Sequence, residues 1–276
     1  MTDHDGATTA TAAPKPAAQG APDPSGRTDQ PVLINVKEVT KRYGSTLAAD
    51  RVSFEIRRGE IIGFLGPNGA GKSTVLKTIS TWLPPTSGTV EVAGFDVAKD
   101  PLAVRQRLGY LPEHNAMYET MRVDRFLRFM GRVRGMSGEH LSKRTSWVVG
   151  KCQLEGVLGK RINQCSKGYR QRIGLAASLL HDPQVILLDE PTHGLDPLQV
   201  AAFRDFIREL RPNRAILFSS HILAEVMATC ERLLIINLGR LLADTTVTEL
   251  RTIADEKNIS LEEAVLEIVR KGGKRK

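Results

Sequence analysis

The stretch that decides the fold is GPNGAGKST, which comprises Gly66, Pro67, Asn68, Gly69, Ala70, Gly71, Lys72, Ser73 and Thr74. It satisfies the pattern G-x-x-x-x-G-K-[ST], in which glycines let successive backbone N–H groups face phosphate oxygens. The apolar run before it, IIGFLG at 61–66, is typical of a buried strand, and KSTVLKTISTWL at 72–83 has helical spacing. A loop of this pattern between a buried strand and a helix predicts phosphate binding at the helix N-terminus.

The apolar run VILLDE at 185–190 supplies the second half of such a site. A buried strand that ends in Asp189 would place a carboxylate near a Mg²⁺ ion, for which the Ser73 hydroxyl is a further ligand. Glu190 is positioned to orient an attacking water as a general base, and Lys72 can reach the β- and γ-phosphates. Taken alone, an apolar strand that ends in acids is equally typical of a strand-end cap. The phosphate-binding loop upstream favours the metal role.

Composition limits the class of protein. The chain has 276 residues, of which 41% are apolar, so it can bury one large core or two smaller ones. Its aromatic fraction of 5% argues against a stacking platform for single-stranded nucleic acid. The net charge of +8 is compatible with nucleic acid, an anionic membrane face, phosphorylated ligands or an ordinary basic surface. The three cysteines have no metal-ligand spacing and are expected to be reduced thiols.

Apolar runs in this sequence are short. LLIINL at 233–238 is far below the length of about 20 residues that a membrane-spanning helix needs. The first residues contain no basic start followed by an apolar run, so no signal peptide is expected. If the protein works at a membrane, we expect another chain to supply the spanning part.

Changes in residue composition and periodicity along the chain predict its domain organisation. Residues 1–30 are rich in Ala, Pro and Thr and are predicted to form a disordered tail, because they contain no large apolar residue after Met1. Alternating strand and helix signals then predict an α/β sheet, interrupted by a helical insert at about 114–164. Between 121 and 175 there are thirteen Lys or Arg against three Asp or Glu. Residues 246–276 are predicted to form a C-terminal helix and a basic tail.

Four further features distinguish among nucleotide-binding classes: GYLPEHN at 109–115, CSKGY at 165–169, SSH at 219–221 and the lone aromatic Tyr43. In this order and spacing, the set resembles the ATP-binding subunit of ABC transporters from about residue 33 to 245. The resemblance implies a P-loop NTPase core of the ABC ATPase type, with a helical subdomain insert and an antiparallel β subdomain. It also implies an ATP-binding domain at 31–245, with ATP and Mg²⁺ as cofactors.

The resemblance assigns roles to single residues. Tyr43 is similar to the aromatic residue that stacks on adenine, although a tyrosine in a strand is also common. His221 is similar to the switch histidine that contacts the γ-phosphate and the attacking water. Glu113 stands where the family usually has a glutamine that contacts Mg²⁺, and a carboxylate is also a hard oxygen ligand for Mg²⁺.

The signature segment departs from the common family pattern. The family usually reads Leu-Ser-Gly-Gly-Gln, whereas this chain has Cys-Ser-Lys-Gly-Tyr at 165–169. Ser166, Lys167 and Gly168 are implied to contact the γ-phosphate of ATP held by a partner subunit. Asp196 resembles the aspartate of the D-loop, which links the two subunits. The variant Ser-Lys-Gly-Tyr-Arg-Gln-Arg resembles the ABC-2 type exporters, including those likened to sodium and multidrug export systems.

The resemblance therefore implies an ATPase that powers an ABC-2 type exporter from the cytoplasmic face of the membrane, as a peripheral protein. It implies a homodimer, or a heterodimer with a related ATPase, and transmembrane permease subunits on a separate chain, with no specific nucleic acid. The alternative is a soluble ABC-type ATPase that acts on nucleic acid or ribosomes, which the charge permits. A P-loop kinase or GTPase is disfavoured, because the segments CSKGY and SSH have no role in those folds.

Overall fold

A computed structural model describes residues 29–273 of the chain. The predicted disordered tail lies outside the described residues except for its last two positions, and so do the last three residues of the predicted basic tail. The strands are β1 (Val32–Tyr43), β2 (Thr46–Arg57), β3 (Ile61–Leu65), β4 (Ser87–Val92), β5 (Phe95–Asp96), β6 (Leu108–Leu111), β7 (Val185–Asp189), β8 (Ala215–Ser220), β9 (Arg232–Asn237) and β10 (Arg240–Thr246). The helices are α1 (Lys72–Ile79), α2 (Pro101–Arg107), α3 (Val123–Val133), α4 (Gly138–Lys151), α5 (Lys167–Leu179), α6 (Pro197–Leu210), α7 (Leu223–Thr229), α8 (Val247–Lys257) and α9 (Leu261–Gly273).

The larger sheet has the strand order β10-β9-β3-β8-β7-β6 and is parallel except for its edge strand β10. Every residue of β3, β7 and β8 is buried, which explains why these strands read as continuous apolar runs. Leu65 pairs with Ser220, and Asp189 pairs with Ser219, so the carboxyl ends of the three strands lie side by side. The segments that follow them therefore emerge at one edge of the sheet.

The smaller sheet is antiparallel, with the order β2-β1-β4-β5. Ile34, Val36 and Val39 of β1 all face its core. The spacing between these core-facing residues changes from two to three because the pairing of β1 with β2 is irregular between Val36 and Val39. Glu38 adopts a φ of 49° at this irregularity. The bulge keeps the apolar face of the strand turned inward.

Two cores cover the two faces of the parallel sheet. Ile61 and Leu65 of β3 face one core, which also contains the buried sides of helices α3 to α6. Ile62 and Phe64 face the other, which is shared with the antiparallel sheet and α1. This alternation is the two-residue period of a strand. The site at the sheet edge therefore rests on a base that is packed from both sides.

Helices α3 and α4 fall inside the predicted insert. On α3, Val123, Phe126 and Leu127 form one buried face at helical spacing. The predicted α/β class, with its helical insert and antiparallel sheet, is confirmed, while the exact limits of the domains remain predictions.

Two local expectations differ from the structure. Helix α1 ends at Ile79 rather than near residue 83, because Thr81 takes a left-handed φ of 65° before the two prolines are reached. The C-terminal region, expected to form one helix and a basic tail at 246–276, contains two helices. Asn258 ends α8 in a left-handed conformation with φ 52°, and reciprocal hydrogen bonds between Ser260 and Glu263 begin α9.

Across residues 29–273, each helix falls short of the length and apolar character that crossing a bilayer would require.

Candidate active site

The glycine-rich loop at 66–74 connects β3 to α1. Gly71 precedes α1 with φ 104° and ψ 0°, a conformation that a residue with a side chain rarely adopts. A Cβ at this position would also overlap the carbonyl oxygen of Ala48. The loop borders a cavity of about 300 Å³, large enough for part of a small ligand. The cavity is lined by Ala48, Pro67, Asn68, Gly69, Ala70, Gly71, Lys72, Ser73, Thr74, Glu113 and Glu190.

The Lys72 side chain is 6% exposed and curls back over the loop. Its Nζ donates hydrogen bonds to the carbonyl oxygens of Gly66 (2.6 Å) and Pro67 (3.3 Å). The same atom lies 3.3 Å from Oε1 of Glu190. A buried ammonium needs such partners, because moving a charged group out of water without a partner costs free energy. The cation is therefore held at the mouth of the cavity, where an anionic ligand would meet it.

Asp189 ends β7 and is 2% exposed. The Ser219 hydroxyl donates to its Oδ1 at 2.7 Å, and the Ser73 hydroxyl lies close to the same carboxylate. Burial raises the pKa of Asp189, and the two hydroxyl groups partly oppose this effect. The negative charges of Glu113 and Glu190 raise the pKa further. The site is thus locally rich in carboxylates and would favour a cation.

Glu190 lies just beyond β7, with a φ of 47°. Its backbone N–H donates to both the carbonyl oxygen (3.2 Å) and the Oγ (3.1 Å) of Ser219, so the unusual conformation is fixed by the neighbouring strand. Its side chain is 8% exposed, and Oε2 lies 2.9 Å from Nδ1 of His221. A carboxylate only accepts hydrogen bonds, so Nδ1 carries the proton and Nε2 is left to face a ligand.

The other oxygen of Glu190 is buried and accepts no hydrogen bond within the described part of the chain, although the Lys72 ammonium lies 3.3 Å away. That contact has ionic distance without hydrogen-bond geometry. A buried acceptor without a hydrogen-bond donor is unusual and commonly marks a functional group.

Glu113 lines the same cavity and follows β6. Its two carboxylate oxygens lie 3.9 Å from Nδ1 of His114 and Nδ1 of His193. The buried hydroxyl of Tyr110 lies close to Asp189, whose charge adds to the larger effect of burial in raising the pKa of Tyr110.

The oxygens at the cavity fit a magnesium ion. The Ser73 hydroxyl and the Asp189 carboxylate are already adjacent, and Glu113 adds a further carboxylate on the cavity wall. In residues 29–273, no group of three or more His, Cys, Asp or Glu side chains converges as a metal cluster. Mg²⁺ in nucleotide sites is commonly held by one or two carboxylates together with phosphate oxygens and water, so a fuller protein cluster is not required.

Tyr43 lies apart from these groups. It ends β1, its ring is 46% exposed, and Lys41 Nζ lies 5.4 Å from the ring centre. Ala48 of the paired strand lines the cavity, whereas Tyr43 does not. The exposed ring is available for stacking, and the adenine contact remains a prediction.

Ser166, Lys167, Gly168 and Asp196 also lie outside the cavity lining. Ser166 precedes α5 and accepts a hydrogen bond from the N–H of Tyr169, whereas Asp196 precedes α6 and accepts one from Gln199. The two helix starts are in contact with each other. A Cβ on Gly168 would lie 2.7 Å from Oε1 of Gln199, and one on Gly194 would lie 2.6–2.8 Å from the end of the Lys167 side chain.

Sequence reasoning missed several residues that shape the site. Ser219 bridges Asp189 and Glu190, although only its place in the SSH segment was noted. Thr192 and Glu225 are hydrogen-bonded beside the catalytic candidates. Since each lies far along the chain from its partner, no local pattern could have revealed these contacts.

Comparisons with known proteins agree with this geometry. The family model described as "ABC transporter" matches residues 49–193. The ABC transporter ATP-binding protein NatA of Bacillus subtilis (strain 168) is 39% identical over 216 residues, covering 76% of this chain and 88% of the relative. The daunorubicin resistance ATP-binding protein DrrA3 of Streptomyces coeruleorubidus is 36% identical over 234 residues, covering 84% of this chain and 74% of the relative.

Among solved structures, one described as the dimeric structure of MJ0796, a bacterial ABC transporter cassette, superposes with a TM-score of 0.72. It is 25% identical and covers 78% of this chain and 99% of that chain. The phosphate-binding loop lines the cavity together with Glu190, and Asp189 and His221 lie beside Glu190 at the same sheet edge. The chain therefore belongs to the ABC transporter family, as one of its ATP-binding, ATP-hydrolysing subunits.

Proposed function

We propose that this chain hydrolyses ATP to power a membrane exporter of the ABC-2 type. The observation that carries the proposal is the arrangement of Glu190 between Lys72 and His221 at the glycine-rich loop. Its relatives include an ATP-binding protein named for daunorubicin resistance, which supports export of a compound as the use of the energy. The cargo itself would be selected by another chain.

The proposed reaction follows from the positions of the side chains. The backbone of the loop and Lys72 hold the phosphates of ATP. Glu190 orients a water molecule and accepts its proton on the oxygen that is free of hydrogen bonds. The oxygen of that water bonds to the γ-phosphorus while the bond to the bridging oxygen of ADP breaks, releasing ADP and phosphate. His221 holds Glu190 through its Nδ1–H, and a proton on Nε2 would let the ring donate to a γ-phosphate oxygen.

Ser73, Glu113 and Asp189 would hold Mg²⁺ in this reaction. The ion supplies positive charge that balances the β- and γ-phosphate oxygens. Asp189 is oriented for this task by Ser219, whose hydroxyl bonds to it at 2.7 Å. The raised pKa of Asp189 reflects burial without a cation, and a bound cation would offset that effect.

We propose that the working form is a dimer. Ser166, Lys167 and Gly168 do not line the cavity of their own chain, and Ser166 is held at the N-terminal end of α5, which favours an anion. A second subunit would bring them to the γ-phosphate across the interface, with Asp196 between the two sites. The MJ0796 cassette, whose structure is described as dimeric, supports this arrangement. Whether the partner is a second copy or a related ATPase is set by the composition of the transporter.

An exposed apolar surface is the proposed docking site for a cytoplasmic segment of the membrane subunit. Trp82, Leu102, Tyr118, Phe129 and Val133 are all exposed large hydrophobic residues. Phe129 and Val133 lie one turn apart on α3, and Tyr118 meets the Phe129 ring edge-on, with 5.4 Å between the ring centres. A group of large exposed apolar side chains supports a protein interaction site here.

Hydrogen bonds join three of the four segments that carry this surface. Arg105 of α2 donates to the hydroxyl of Thr81, next to Trp82, at 2.7 Å. Arg134, which follows α3, donates to the carbonyl oxygen of Arg105. The loop that carries Tyr118 begins at the cavity with Glu113, so a partner bound here would sense the nucleotide directly. Docking at this surface would place the chain at the cytoplasmic face of the membrane as a peripheral subunit.

Co-expression with a membrane subunit that co-purifies with this chain tests the proposal. Leu102→Ser and Trp82→Ser should weaken co-purification and lower transport-coupled ATPase activity, with basal ATPase activity retained. Leu266→Ser, at an exposed leucine on α9, is the matched control and should behave as the wild type. Undiminished co-purification of both surface variants would refute the docking site, whereas loss of all ATP hydrolysis in Lys72→Ala tests the ATPase assignment separately.

A further inference from the structure

A second hydrogen-bonded cluster lies beside the Glu190–His221 pair and has no role in the mechanism above. Oε2 of Glu225, on α7, accepts a hydrogen bond from the Thr192 hydroxyl at 2.6 Å and one from the Ser220 hydroxyl at 3.1 Å. The Ser220 hydroxyl in turn accepts from the N–H of Ile222 at 3.0 Å. One carboxylate oxygen therefore joins the loop after β7 to the loop after β8.

The positions of the two hydroxyl groups give this contact its meaning. Thr192 is two residues beyond Glu190, and Ser220 directly precedes His221. Both are buried, with 6% and 0% exposure, so each depends on a partner within the protein. Because both hydroxyl groups donate, the partner must accept twice, and a carboxylate or amide oxygen can do so.

Helix α7 holds Glu225 in a fixed place. Val226, the next residue, is fully buried against β3, where a Cβ on Gly63 would overlap its side chain. Gly63 lies in the strand that leads into the glycine-rich loop. The Glu225 carboxylate is therefore held by the same sheet that carries the phosphate site.

We infer that Glu225 is a positioning residue for ATP hydrolysis. It ties Thr192 and Ser220 together and so sets the 2.9 Å contact between Glu190 and His221 that aligns the attacking water. This inference rests on the roles proposed above for Glu190 and His221. Without the acceptor, the two loops separate and the pair loses its alignment, and a displacement of about 1 Å at a reacting group lowers rate by up to about 100-fold.

Four variants test the inference. Glu225→Leu removes the acceptor, Glu225→Gln keeps an oxygen that accepts both hydrogen bonds, and Thr192→Val removes one donor with little change of shape. Thr229→Val is the matched control, because it removes a hydroxyl bonded only to the backbone of the same helix. The readouts are kcat and KM for ATP, the Kd of a fluorescent ATP analogue, and the melting temperature of each variant.

We expect Glu225→Leu to lower kcat by about 10-fold or more while KM and the nucleotide Kd stay within about twofold. Glu225→Gln should retain most of the activity, Thr192→Val should fall between the two, and Thr229→Val should match the wild type. A role in stability alone would lower the melting temperature and leave kcat per folded protein unchanged, which would overturn the inference. So would a Glu225→Gln variant as impaired as Glu225→Leu. Glu190→Gln and His221→Ala test the proposed roles of Glu190 and His221 separately from the role of Glu225. Full activity in these two variants would refute the proposed roles themselves.

Discussion

Replacing Gly71 by alanine probes the close approach on which the phosphate loop depends. The residue takes φ 104°, and its missing side chain lets the loop rest on the carbonyl oxygen of Ala48. Gly69 offers a matched control in the same loop. It also has a positive φ, 78°, but a Cβ there would meet no atom within 4 Å.

The expected magnitudes differ between the two positions. A left-handed conformation costs a residue with a side chain about 1–2 kcal/mol, and both variants incur this cost. At Gly71 the added Cβ also overlaps a backbone atom that cannot rotate away, and overpacking of this kind costs about 1–3 kcal/mol. The loss of chain entropy in the unfolded state is similar for both variants. Gly71→Ala should therefore be less stable than Gly69→Ala by about 1–3 kcal/mol.

Urea unfolding of the nucleotide-free protein measures this difference. A parallel titration with a fluorescent ATP analogue should show a larger loss of affinity in Gly71→Ala, because relief of the overlap moves Lys72 and Ser73, which follow directly in the chain. Equal stabilities of the two variants, together with equal nucleotide affinities, would refute the reasoning from close approach.

Three further predictions concern ionisable groups. His221→Ala should lower kcat by about 100-fold or more in a steady-state ATPase assay. The control is His181→Asn, at a ring whose pKa burial lowers to about 4, and it should leave kcat within about twofold. Equal losses of kcat in the two variants would contradict the role assigned to His221. Burial raises the pKa of Asp189 in the folded protein. The free energy of unfolding therefore falls as pH rises through that pKa and the carboxyl group ionises. Asp189→Asn should accordingly be more stable than the wild type to urea at pH 7 without Mg²⁺ and nucleotide, while its ATPase activity falls; a less stable variant would count against this. Burial raises the pKa of Cys152 to about 12 and raises that of Cys230, so both thiols should react with a disulfide reagent only after unfolding, and prompt reaction of the native protein would contradict their burial.

The sequence was most informative where one short pattern is enough to specify a structure, such as a phosphate-binding loop or a buried strand. The glycine-rich loop and the apolar run ending in Asp189 predicted two neighbouring strand ends, because buried parallel strands read as continuous apolar segments. The register of β3, β7 and β8 confirms that these ends adjoin, with Asp189 beside Ser219. The family resemblance and the α/β class were obtained in the same way.

The sequence was least informative about contacts between distant segments. Nothing local indicates that Thr192 reaches Glu225, or that the Lys72 ammonium lies 3.3 Å from Glu190. The division of the C-terminal region into α8 and α9 was not predicted, because the amphipathic signal of α8 is short and follows strand β10 without a break. The capping hydrogen bonds of α8 between Thr246 and Glu249 were present in the sequence as a T-x-x-E pattern, which could have marked its start.

The central claim is that this cavity is half of a shared ATP site in which Glu190 drives hydrolysis. Light scattering coupled to size exclusion, on the Glu190→Gln variant with saturating Mg²⁺ and ATP, tests it most directly. The account predicts a stable dimer that retains unhydrolysed ATP, and predicts that adding Ser166→Arg, which fills the signature contact with a bulky side chain, abolishes that dimer. A Glu190→Gln variant that stays monomeric with saturating ATP, both alone and with its membrane partner present, would contradict the claim.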